Sequence, residues 1–345
     1  GGTSNFQLAG GRILGGNVNS SNLLKFNNGD NRLENVALDG SLNLSPDNST
    51  AHIIGTTSFG ANPSFNLGAS SRLAFQGDRT LANTTVTTNS ANYGYISVEG
   101  NTTLTLPSSF SFTGRYGQLT AAALVSGTSI INNAGLISQN IASGGFTINP
   151  NTFNNQAGGI VRADGTSTRV SINPTNFTNA GTLEALNGGI VAVSTTNATI
   201  GGTVNASGTG SFINIAPTNA WVLSGALSAS NNGRIDLGGT FTLGAGNSVT
   251  TNSGGLVRLT GTLTNTGTTF DVASNIGGTS NFQLAGGRIL NGTVNSSNLL
   301  KFNSGNNSLE NVALDGSLDL SPARSTAHII GTTSFGANPS FNLGS

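Results

Sequence analysis

Ile148-Asn149-Pro150-Asn151-Thr152-Phe153 returns as Ile172-Asn173-Pro174-Thr175-Asn176-Phe177, 24 residues later. The residues beyond the motif repeat as well. Gly159-Ile160-Val161-Arg162-Ala163 is echoed, with a two-residue slip, by Gly181-Thr182-Leu183-Glu184-Ala185. Asn187-Gly188-Gly189-Ile190-Val191-Ala192-Val193 continues the series, and Asn133-Ala134-Gly135-Leu136-Ile137 is an earlier member. Repeats of about 20–25 residues, built from short strands and Gly/Asn turns, are the signature of a β-solenoid. One coil leaves its strand edges unpaired, and stacking coils roughly 4.8 Å apart satisfies them. Leu, Ile, Val and Phe then form inward columns, Thr, Ser and Asn face outward, and Gly and Asn supply positive φ at the corners. Pro150 and Pro174 are expected at the same corner of adjacent coils.

Away from this stretch the same grammar holds. Ser41-Leu42-Asn43-Leu44, Thr103-Leu104-Thr105-Leu106, Phe110-Ser111-Phe112, Arg234-Ile235-Asp236-Leu237 and Thr240-Phe241-Thr242-Leu243 alternate with period two and are too short to stand alone. Helical periodicity is nearly missing, and the best helical candidate is Leu119 to Val125 with its three alanines. A β-sandwich array predicts a period near 100 residues and a Trp-centred core. No such period is present, and Trp221 is the sole tryptophan.

A second repeat overlies the first. Residues 277–344 reproduce residues 1–68 with 60 identities and eight differences. The expected organisation is therefore one complete solenoid unit, 1–276, and the first quarter of the next, 277–345, stacked continuously. Such a chain reads as a window on a longer array. No flexible linker is expected between Phe270 and Leu290. The differences are Gly15/Asn291, Asn17/Thr293, Asn28/Ser304, Asp30/Asn306, Arg32/Ser308, Asn43/Asp319, Asp47/Ala323 and Asn48/Arg324. None falls on the apolar pattern (among it Leu8, Leu14, Leu23, Phe26, Leu33, Ile53, Phe65 and Leu67), so these eight positions are expected to face solvent.

Composition narrows the function. Thirteen basic and thirteen acidic residues in 345 give zero net charge, and charged residues are only 8% of the chain. That removes the basic stripe nucleic acid requires and leaves little self-repulsion to oppose association. Cysteine is absent, so there is neither a disulfide frame nor a thiolate metal site. No 18-residue apolar run exists to span a membrane. Branched and aromatic residues spread along the whole length argue against disorder.

Motifs such as Phe177-Thr178-Asn179-Ala180-Gly181-Thr182-Leu183-Glu184-Ala185-Leu186-Asn187-Gly188-Gly189 resemble the coils of large bacterial secreted adhesins of the filamentous haemagglutinin and autotransporter type. Asn307-Ser308-Leu309-Glu310-Asn311-Val312-Ala313-Leu314-Asp315-Gly316-Ser317-Leu318-Asp319-Leu320 is similar in style. The resemblance implies a right-handed parallel β-helix at the cell surface, with roles in attachment or matrix. It carries over no binding residues. The full expectation is an all-β solenoid of about 22–24 residues per coil, with roughly 12 coils and a rise of about 55–60 Å per unit.

Candidates for chemistry are few. Carbohydrate-active β-helices need clustered carboxylates, and here the acids are scattered. Asp30 and Asp47 exist in one copy only, while Glu34, Asp39 and Lys25 persist as Glu310, Asp315 and Lys301 and read as a solvated or ion-paired face. His52 and its equivalent His328 are the only histidines and read as half-buried strand residues. Calcium-binding Gly-Gly-x-Gly-x-Asp repeats are not found, and the Thr runs Thr84–Thr88 and Thr260–Thr266 reflect β-propensity rather than an ice-binding ladder. Tyr93, Tyr95, Tyr116 and Trp221 are the residues able to stack on sugars; for Tyr93-Gly94-Tyr95 a core or cap role is preferred. The expectation is a non-catalytic extracellular fibre module with no catalytic residue, cofactor or metal. Its main partner is itself, with surface polysaccharide as a second class of partner. The alternatives are the stalk of an adhesin that presents a ligand-binding tip outside these residues and, further behind, a carbohydrate-active enzyme.

Overall fold

The structure, a computed structural model, describes residues 6–19, 24–121, 124–276, 281–296, 300–337 and 339–343. Leu23 and the copy boundary at 277–280 lie outside the described residues. The chain winds about 15 turns of an all-parallel β-solenoid. It divides into two compact units, Gly1–Phe177 and Thr178–Ser345, so the copy boundary falls inside the second.

In the first unit successive coils each give strands to a small set of parallel sheets. One sheet contains Phe6–Leu8, Leu24–Phe26, Asn43–Leu44, Ser64–Leu67, Thr85–Thr88, Ser111–Gly114, Leu136–Gln139 and Ile160–Asp164. The next contains Arg12–Leu14, Arg32–Glu34, Thr50–Ile54, Arg72–Gln76, Gly94–Glu99, Tyr116–Ala121, Gly145–Asn149 and Arg169–Ile172. Along the first sheet, Phe65, Val86, Phe112, Ile137 and Val161 pair in one register and are each buried. Each contributes about 1.5–3 kcal/mol by leaving water. The motif that marks the coil is in register too. Ile148 pairs with Ile172, Phe153 stacks on Phe177 at 5.8 Å with rings nearly parallel, and Pro150 and Pro174 are both buried.

Coil length is less uniform than the sequence suggests. Gln7 pairs with Lys25, 18 residues on, whereas Leu119 pairs with Ile148, 29 residues on. The longest coil also overturns the helical candidate. Leu119 to Ala121 lie in the strand Tyr116–Ala121, residues 122–123 are outside the described set, and Leu124 and Val125 form a bend. Pairing of Leu119 with Ile96 on one side and Ile148 on the other outweighs alanine's helix propensity.

In the second unit the second copy continues the ladders of the first. Val257 pairs with Phe282, Leu263 with Ile289 and Phe270 with Val294. Between these strands lies a helical turn, Val272–Ile276, which the sequence reading did not foresee. Asp271 accepts a hydrogen bond from Ser274 N at 3.1 Å, as an N-cap does.

The divergent positions fall outside the core with one exception to the expected exposure: in the second copy Ser308, laid between Arg288 and His328, is buried at 9% exposure. In the first copy six are exposed and two (Gly15 and Asn43) are half-buried, while Leu33, Leu44, Ile53 and Phe65 are within 1% of full burial. Asp30 and Arg32 form an ion pair at 3.8 Å, and the second copy replaces both partners, with Asn306 and Ser308. What stays the same includes a buried amide. Asn31 Oδ1 accepts from Gly10 N and Gly11 N, and its Nδ2 donates to Asn27 O and Thr50 O, clamping adjacent coils. Asn307 makes the equivalent four bonds with Gly286, Gly287, Asn303 and Thr326. Asn31→Ala removes a buried amide that ties four partly buried backbone groups, and a loss of about 2–3 kcal/mol is expected, read as a lower urea midpoint.

One divergent position carries a carboxyl shifted by its neighbours. Asn43 Oδ1 accepts from Ser45 Oγ and N, and in the second copy Asp319 heads the same turn. Bonds from the Ser321 side chain, then its N–H and Asn342, with attraction to Lys301, hold the Asp319 carboxyl below the usual aspartate range against an opposing effect of burial. A depressed folded-state value means the ionised form favours folding above the unfolded aspartate value of about 3.9. That contribution is lost as pH falls through the depressed value. The stability difference between wild type and Asp319→Asn is therefore expected at pH 6 and to fade by pH 2, by urea unfolding across that range.

Candidate functional site

In the strand Gly94–Glu99, Ile96 and Val98 point inward and are fully buried, so alternation puts Tyr95, Ser97 and Glu99 on the outer side of the sheet. Ser97 and Glu99 are nonetheless no more than 1% exposed. The longest coil supplies their cover. Val125 O accepts from Gly100 N at 2.8 Å, and Leu124 N donates to Glu99 Oε1 at 3.3 Å. Thr102 Oγ1 donates to Glu99 O.

Beneath this cover the other Glu99 oxygen meets His52. Nδ1 of His52 lies 3.1 Å from Glu99 Oε2, and the two side chains are 3% and 2% exposed. They come from strands two coils apart, and the strand between them puts Ala74 in register with both His52 and Ser97. A methyl group at that rung is what a bridging contact requires. Nε2 of His52 faces Asp30 Oδ1 at 3.8 Å. An open groove lined by Gln76, Gly77, Glu99, Gly100, Asn101 and Val125 runs beside the pair.

Next to the buried pair the same outer surface changes character. Arg72 and Gln118 flank Tyr95 in the ladder. The Arg72 guanidinium sits 4.7 Å over the Tyr95 ring and donates to Ser97 Oγ at 2.5 Å. Burial pushes Arg72 below the usual arginine value, opposed by attraction to Tyr95 and Glu99. Tyr93 lies 6.5 Å from Tyr95 and 5.5 Å from Tyr116, ring centre to ring centre. Tyr116 donates its hydroxyl to Ser143 O at 2.8 Å, and the Arg115 guanidinium is 5.4 Å from its ring. All three tyrosines are half-buried. Tyr93 and Tyr95 are thus neither core nor cap, a correction to the sequence reading. Trp221, by contrast, is core: it stacks on Phe241 at 4.7 Å and donates to Gly238 O.

The remaining candidates are dispersed. Glu34 is paired with Arg12 at 2.5 Å, and Glu310 with Arg288 at the same distance. Asp39 is exposed, Lys25 is half-buried, and Asp47 Oδ1 accepts from Ala69 N. His52 is more buried than the sequence reading allowed, whereas its equivalent His328 is exposed. Glu99 was missed altogether. Its partner is 47 residues away, and only the coil offset, applied twice, could have brought them together. In the second unit the closest counterpart is Asp236, which holds Arg258 through both oxygens (Nε 2.8 Å, a second guanidinium nitrogen 2.5 Å) while Arg234 covers Phe212 at 4.1 Å. Hydrogen bonding to Asp236 raises Arg258 above the usual arginine value, against burial.

No known family model matches the chain, and no curated protein matches it.

Proposed function

We propose that this chain is a non-catalytic structural module of a long, repetitive extracellular β-solenoid fibre at a bacterial cell surface, acting through self-association and attachment. The observation that carries this reading is the pairing at the start of the second copy. Phe282 stacks on Val257 and is 4% exposed, while its equivalent Phe6 is 64% exposed. The same residue changes from surface to core when a preceding coil is laid on it. At Ile329, 43% exposed against 0% for its equivalent Ile53, the contrast is repeated where Phe75 covers Ile53. Units of this kind extend by the backbone pairing that forms each coil, and a near-neutral surface leaves lateral contact unopposed. The coil motifs that resemble secreted adhesins support the cell-surface location. Cryo-electron microscopy of a chain of several tandem units tests this. A spacing of roughly 4.8 Å along the filament axis, under one long repeat per unit, is expected; separate particles joined by flexible links would refute it.

A further inference from the structure

We propose that Tyr93, Tyr95 and Tyr116, with Arg72 and Arg115, form a binding platform for an acidic polysaccharide strand. The proposal goes beyond the fibre reading and does not depend on it.

The chain has three tyrosines, and all three meet in one cluster on two neighbouring coils. They lie on the outer side of a sheet whose inward positions are already filled by Ile96, Val98 and Leu119, so the cluster adds nothing to the core. Aromatic rings with a wet hydroxyl edge are amphipathic surfaces, and the CH faces of pyranose rings pack on them while sugar hydroxyls stay hydrated. The two arginines set the ligand's charge. A guanidinium presents a planar fork that fits a carboxylate through two hydrogen bonds, and both arginines are held against tyrosine rings. Gln118 continues the polar row beside Tyr95. Successive rungs are about 4.8 Å apart, close to one pyranose ring, so adjacent sugars of a strand lying along the coil axis meet adjacent rungs. Arg169, in register with Gly145 and two coils beyond Tyr116, extends the cationic edge along that line.

The test is isothermal titration of the single chain with hexamers of galacturonic acid and of mannuronic acid, and with the neutral hexamer of β-1,4-glucose. At least one acidic hexamer is expected to bind, and the neutral one at least tenfold more weakly. Tyr93→Ala is expected to weaken the acidic ligand by tenfold or more, and Arg115→Gln to remove the preference for acid while leaving the circular dichroism unchanged. Gln156→Ala, at an exposed turn outside the cluster, is expected to bind within about threefold of wild type and serves as the folded control. Binding of neither acidic hexamer, equal binding of the neutral one, or full affinity in a folded Arg115→Gln variant would each overturn the proposal. Filament formation is read separately by microscopy, so failure here leaves the fibre reading standing, and the reverse.

Discussion

Replacing Glu99 with alanine is expected to destabilise the chain by about 2–4 kcal/mol, the cost of leaving buried hydrogen-bonding groups without their partner. His52, its side chain only 3% exposed, loses its 3.1 Å partner, and Leu124 N loses an acceptor. The loss is specific to the pair. In the double variant His52→Leu/Glu99→Leu neither polar group is left behind, and apolar side chains of similar bulk recover most of the difference. Urea unfolding of wild type, His52→Leu, Glu99→Leu and the double variant closes the cycle. Unfolding of the part of the first unit around the site, tracked by exchange of the Gly100 and Leu124 amides, is expected to shift with the global midpoint. Additive effects of the two single changes would mean that His52 and Glu99 do not interact.

Gly114→Ala is expected to be at least as damaging, about 4 kcal/mol or more, placing it among the exceptional single substitutions. Gly114 has φ +137°, a region closed to residues with a side chain, and a Cβ built there would lie 2.0 Å from Thr88 O. Thr88 O cannot retreat, because it accepts the hydrogen bond from Arg115 N that carries the chain into the tyrosine cluster. Relief demands that two adjacent coils separate at this corner. The substitution should therefore lower the thermal midpoint and loosen the Tyr93–Tyr116 contact, seen as a change in near-ultraviolet circular dichroism. A variant with wild-type midpoint would show that the corner tolerates a different backbone.

These two positions mark where sequence reasoning succeeded and where it stopped. The coil was legible in Ile148–Phe153 and Ile172–Phe177 because an identical inward pattern recurs at a constant offset, and stacking forces equal residues into contact. Inside and outside were legible from eight substitutions that spare the core. Leu119 to Val125 misled because its composition favours a helix locally, while the pairing that overrules it comes from coils on both sides. Tyr93 and Tyr95 misled because period-two alternation alone does not say which parity faces in; Ile96 and Val98 decide that by filling the core column. The pairing of Glu99 with His52 was invisible for a further reason. Neither residue is near the other in one coil, and their contact reaches across a whole intervening strand at Ala74, whose methyl group leaves the space.

The sequence by itself determined the solenoid, the inward columns, the duplicated unit and the solvent-facing positions, since each is a periodic property that a single chain displays without reference to its neighbours. Only the tertiary structure decided that three tyrosines and two arginines share one outer surface, that Glu99 and His52 are sealed beneath Leu124, and that Trp221 belongs to the core. Those contacts depend on the accumulated length of the coils between them, and an uneven coil shifts a side chain to a new neighbour without changing any local pattern.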